Sequence, residues 1–65
     1  MIISTKDTTI NFDNICFIFV EDDCLIFEST DENRLRLHCE SSEDAHQTRR
    51  FIESAYVHGE KICKI

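Results

Sequence analysis

Ile15-Cys16-Phe17-Ile18-Phe19-Val20, then Glu21-Asp22-Asp23, then Cys24-Leu25-Ile26-Phe27-Glu28: this stretch decides the fold. Its first run is β-branched and aromatic, carries no charge, and has the length of a strand rather than a helix. The acidic triplet reads as a tight polar turn and the second run as a returning strand, so the segment predicts a β-hairpin. Successive side chains of a strand point to opposite faces. Ile15, Phe17 and Phe19 then share one face, and Cys16, Ile18 and Val20 the other. In the returning strand Leu25 and Phe27 oppose Cys24 and Ile26. Both faces of the hairpin are apolar, so both need cover.

Outward from the hairpin the periods are easy to read. Ser29 to Asn33 is a polar break. Arg34 to Glu40 alternates, with Leu35, Leu37 and Cys39 on a dry side and Arg34, Arg36, His38 and Glu40 on a wet one. On the other flank, Met1 to Thr5 reads as a short edge strand, Lys6-Asp7 as a turn, Thr8 to Phe12 as a second strand, and Asp13-Asn14 as a break. At Ser41 the period lengthens. Ser41 or Ser42 serves as an N-cap, Glu43 and Asp44 place negative charge at the positive end of the helix dipole, and Ser41 with Asp44 makes a variant of the capping box. Ala45, Thr48, Ile52, Ala55 and Tyr56 recur at helical spacing, with Phe51 on the flank. Gly59, the single glycine, stands where the helix should stop. Lys61 to Ile65 is either a last edge strand or a frayed tail. The expectation is one α+β domain over 1–65: a small antiparallel sheet of four to five strands, one C-terminal amphipathic helix, and a short final strand if the tail pairs.

Size and composition narrow the function. A chain of 65 residues is one domain at most. It buries only about 60% of its unfolded surface, so small domains of this kind often lean on a partner, a metal or a disulfide. No apolar run approaches the length of a membrane span, and Met1 to Asp7 lacks the basic lead and apolar stretch of a signal peptide. The expected location is the cytoplasm. Cys16, Cys24, Cys39 and Cys63 are then expected to be reduced, since disulfide scaffolds are rich in Gly and Pro and this chain has one Gly and no Pro.

Chemistry-bearing patterns are sparse. Four cysteines with His38, His46 and His58 are the candidate metal ligands, but no pair stands at the spacing of a structural zinc site, and His38 and Cys39 point to opposite faces of their strand. Cys39 lies close to a helix start, yet Glu40, Glu43 and Asp44 surround it and disfavour a thiolate nucleophile. The carboxylates fall in turns, where they are solvated, and one glycine makes no phosphate loop. The expectation is no enzyme, no cofactor and no metal. A net charge of −6 argues against direct nucleic-acid binding.

Two surfaces remain. The first is the apolar hairpin face, Cys16, Ile18, Val20, Cys24 and Ile26, for which the single helix leaves no cover; it predicts a homo-oligomer or a protein partner. The second is acidic: nine acids against two arginines lie between Glu21 and Asp44. Glu21, Asp22, Asp23, Asp31, Glu32, Glu43 and Asp44 form an acidic patch suited to a basic partner or to imitating a phosphate backbone. The stretch Ile10-Asn11-Phe12-Asp13-Asn14-Ile15, followed by strands and an acidic-capped helix, resembles many small bacterial and phage proteins. Short acidic α+β chains of this kind include phage-encoded inhibitors of host defence systems. The resemblance lies in size, charge and layout, and it carries over no functional residue.

Overall fold

The computed structural model describes residues 1–65. In chain order the elements are β1 (Ile2–Ser4), β2 (Thr9–Asn11), a 3-10 turn (Phe12–Asn14), β3 (Ile15–Glu21), β4 (Cys24–Ser29), β5 (Arg34–His38), the helix α1 (Ser42–Val57) and β6 (Ile62–Lys64). The α+β class stands, with the strands divided between two three-stranded sheets. One is the antiparallel meander β3-β4-β5 and the other has the order β2-β1-β6. The break at Asp13-Asn14 is what divides them. Asn11 caps the 3-10 turn by accepting the Asp13 N–H at 3.1 Å, and the chain leaves β2 for β3 in a new direction.

In the small sheet one sequence expectation changes and one open alternative is decided. Met1–Thr5 supplies the central strand, not an edge, because β2 pairs on one side of β1 and β6 on the other. The tail of the chain is a strand, and it runs parallel to β1, with Ile3 opposite Cys63.

In the meander, β3 and β4 are joined by Asp22-Asp23, with Glu21 opposite Cys24. Asp22 takes a left-handed backbone with φ 56°, a conformation Asp tolerates better than most residues. The strand β3 does not keep the simple alternation. A β-bulge falls between Ile15 and Phe17, where Ile15 pairs with Ser29 and Phe17 with Glu28, leaving Cys16 as the extra residue. Ile15, Ile18 and Val20 consequently pack against the core together, while Phe17 lies on the far side.

The helix forms as the caps dictate. Ser41 Oγ accepts the Asp44 N–H at 3.0 Å, and Asp44 Oδ2 accepts the Glu40 N–H at 3.3 Å. At the other end Gly59 takes φ +74°. Its N–H donates to the Tyr56 carbonyl and that of Glu60 to the Ala55 carbonyl, the paired bonds of a Schellman motif. The core is Ile3, Ile10, Leu25, Phe27, Cys39, Ala45, Ile52 and Cys63, drawn from both sheets, the β5–α1 junction and the helix. No polar or charged residue is buried. Tyr56 and Leu35, expected inside, sit at the rim: Tyr56 stacks edge-on against Phe12 at 5.6 Å, and Leu35 lies on an edge strand. All four cysteines are free thiols, and no helix is long and apolar enough to cross a membrane.

Candidate functional site

The outer face of β3-β4-β5 has no helix on it. Strand register places three rows across it: Phe19–Ile26–Arg36, Phe17–Glu28–Arg34 and Glu21–Cys24–His38. Ile26 is nevertheless only 2% exposed. The explanation lies in its flanks. Phe19 and Arg36 stand on either side of Ile26 in its own row, and the Arg34 guanidinium lies over the Phe19 ring, 5.7 Å from its centroid. Arginine stems cover apolar surface while their charged heads stay wet. Those heads are tied down, Arg34 Nε to Glu28 at 3.1 Å and Arg36 to Glu21 at 3.9 Å. The chain thus covers much of its own second face with side chains from β5. Phe17, at 63% exposure, escapes this cover. It projects from β3, an edge strand that pairs only with β4.

The residues expected to form one interaction face are therefore separated. Ile18 and Val20 point to the core, opposite Phe27 and Leu25. Cys24 and Ile26 lie on the outer side and are already buried, and Cys16 is exposed at the bulge. The two-residue turn causes most of the separation, because it pairs Val20 with Leu25 and Ile18 with Phe27 and so leaves Cys24 and Ile26 on the other face; the bulge adds to it by leaving Cys16 unpaired.

The expected acidic patch also divides. Glu21, Asp22 and Asp23 at the β3–β4 turn lie at the same end of the molecule as Glu43 and Asp44, since the Cys39 N–H donates to the Asp23 carbonyl just before the helix begins. Asp31 and Glu32 occupy the β4–β5 turn, at the far end of a six-residue strand about 20 Å long. There Asp31 accepts hydrogen bonds from the Ser29 hydroxyl and the Asn33 amide, and the Ser29 contact above all holds its carboxyl below the ordinary value.

A cluster that the sequence spacing hides lies at the first of these ends. Cys24 and His38 are direct cross-strand partners, and Asp23 precedes Cys24 in the turn. Cys24 Sγ stands 3.7 Å from His38 Nδ1 and 3.5 Å from Asp23 Oδ1, and His38 Nε2 stands 3.2 Å from Asp23 Oδ2. The Cys24 sulfur, with added help from the Glu21 and Asp22 carboxylates, raises the pKa of Arg36 above its ordinary value. The remaining thiols differ. Burial, and then the Asp44 carboxylate, pushes the Cys39 thiol pKa up; burial and Glu60 do the same to Cys63.

The signal that would have found the cluster is the β4–β5 turn. Ser29 and Asn33 close it by backbone hydrogen bonding, and that closure fixes Glu28 opposite Arg34 and hence Cys24 opposite His38. Comparison with known proteins adds no assignment: no protein family, no curated protein and no solved structure matches the chain.

Proposed function

We propose that this chain is a non-enzymatic protein-interaction module that associates with a second copy of itself through the free edge and outer face of β3. The observation that carries the reading is Phe17, 63% exposed on a seven-residue edge strand. An unpaired strand edge is a template for another strand, and proteins usually blunt such edges with charge or proline. Ile15 to Val20 holds neither. A second copy suits this edge because its one charged residue, Glu21, stands at the end of the strand, and pairing about Ile18 would set it opposite Ile15 and not opposite a like charge. Antiparallel pairing about Ile18 would set Phe17 of each copy opposite Phe19 of the other, an aromatic cross-strand pair. Four free thiols fit a reducing compartment, and we place the protein in the cytoplasm.

Light scattering behind size exclusion tests the reading. The expected result is twice the chain mass for the parent and a monomer for Phe17→Lys with unchanged circular dichroism. A monomeric parent at high concentration overturns it. A second reading, an acidic inhibitor or phosphate mimic of phage or mobile-element type that binds a basic host protein, rests on the carboxylates gathered at the β3–β4 turn and the helix start. Salt separates the two. Screening strengthens contact between two acidic copies and weakens contact with a basic partner.

A further inference from the structure

The structure assigns a metal site to Asp23, Cys24 and His38, with a zinc-class divalent ion as its ligand. The three side chains offer one oxygen, one sulfur and one nitrogen, and a ligand atom from each lies within 4.8 Å of the other two. Tetrahedral zinc, with bonds of about 2.3 Å to sulfur and 2.0–2.2 Å to nitrogen and oxygen, holds its ligands about 3.3–3.6 Å apart. The observed separations of 3.5 Å from oxygen to sulfur, 3.7 Å from sulfur to nitrogen and 3.2 Å from nitrogen to oxygen bracket that range. These contacts use both His38 nitrogens and both Asp23 oxygens, so binding requires the ring to turn, and the carboxylate with it, until one nitrogen and one oxygen serve the ion. That turn is cheap, because the His38 side chain is 75% exposed and contacts only this cluster through its ring nitrogens.

Three features favour occupancy. The ligands come from a two-residue turn and two paired strands, so their backbones are fixed before metal arrives. Glu21, Asp22, Glu43 and Asp44 at the same end attract cations. Arg36, the nearest opposing charge, lies against the Cys24 sulfur, where a cation favours the thiolate that a metal needs. With its side chain 58% exposed and Glu21 at 3.9 Å, it can swing aside to that carboxylate when an ion enters. Three protein ligands leave a fourth position on the solvent side of His38, the open geometry in which zinc holds water or a partner's ligand.

The test uses the full chain carrying Cys16→Ser, which removes the one exposed thiol. Titration with zinc chloride is followed by calorimetry, and Co2+ serves as the spectroscopic probe. The expected result is one ion per chain at neutral pH, a thiolate-to-cobalt charge-transfer band, and a zinc-induced rise in Tm. His38→Ala weakens zinc binding by at least about 100-fold, the scale on which even outer-shell partners of a metal act. Asp23→Asn weakens it less, while His46→Ala and His58→Ala leave it unchanged. His38 is exposed, so its replacement keeps the fold, which circular dichroism verifies. Absence of zinc binding overturns the assignment. So does a cobalt complex without the thiolate band, or an affinity that His38→Ala and Asp23→Asn both leave intact.

Discussion

The two faces of the β3–β4 hairpin look alike in sequence and are treated differently by the fold. On the inner face Phe27 and Leu25 pack against a helix and a second sheet. On the outer face Ile26 reaches nearly the same burial beneath Phe19 and two arginines. The difference teaches that an apolar strand face needs cover without needing a second layer of secondary structure. Long side chains from an edge strand supply it, at the cost of leaving one aromatic residue outside.

The comparison breaks most visibly at Phe27. Replacing it with alanine should cost about 3–5 kcal/mol. That is comparable with the whole stability a chain of this size commonly holds, and urea titration should show no cooperative transition. Ile26→Ala sharpens the contrast. Its cover is long side chains and no second layer, and their stems can settle into the space, so the expected loss is about 2–3 kcal/mol, the lower part of the range for such truncations. Phe17→Ala on the same face should stay within about 0.5 kcal/mol in the monomer. Equal losses at Ile26 and Phe17 would show that the arginine cover is not a packed one.

The smallest effect is a pH dependence confined to the inner side. The folded state raises the thiol pKa values of Cys39 and Cys63 above the ordinary 9.0, chiefly by burial. The fold therefore favours the protonated thiols. Their contribution to stability is complete below the unfolded value and is lost as pH rises through the folded values. Tm should decline from about pH 9 upward, and Cys39→Ala with Cys63→Ala should flatten that decline.

Much of this architecture is legible in the residues. The hairpin, the alternation of Arg34–Glu40, the Ser41 cap and the Gly59 stop follow from local chemistry, because each depends on neighbours a few positions away. What escapes reading is non-local or a matter of one residue. A three-residue strand such as Ile62–Lys64 carries too short a period to announce its parallel pairing with β1. The bulge at Cys16 leaves no mark in a run that is apolar throughout, yet it brings Ile15 to the same side as Ile18 and Val20. The Asp23–Cys24–His38 cluster depends on cross-strand register, which the Ser29–Asn33 turn sets and the spacing of the ligands alone does not reveal.

The pairing of β1 with β6 sets the order in which the molecule assembles. The meander and helix join positions close together along the chain, whereas Ile3 meets Cys63 across a loop of nearly the full length. Closing a long loop carries an entropic cost that must be met before its contacts give anything back. The meander, the helix and the β1–β2 hairpin should therefore form first, with one side of the core open, and β6 should complete the small sheet over it as the final step. During that interval the nascent core is wet on one side, and the time spent there depends on how fast the last strand finds the first.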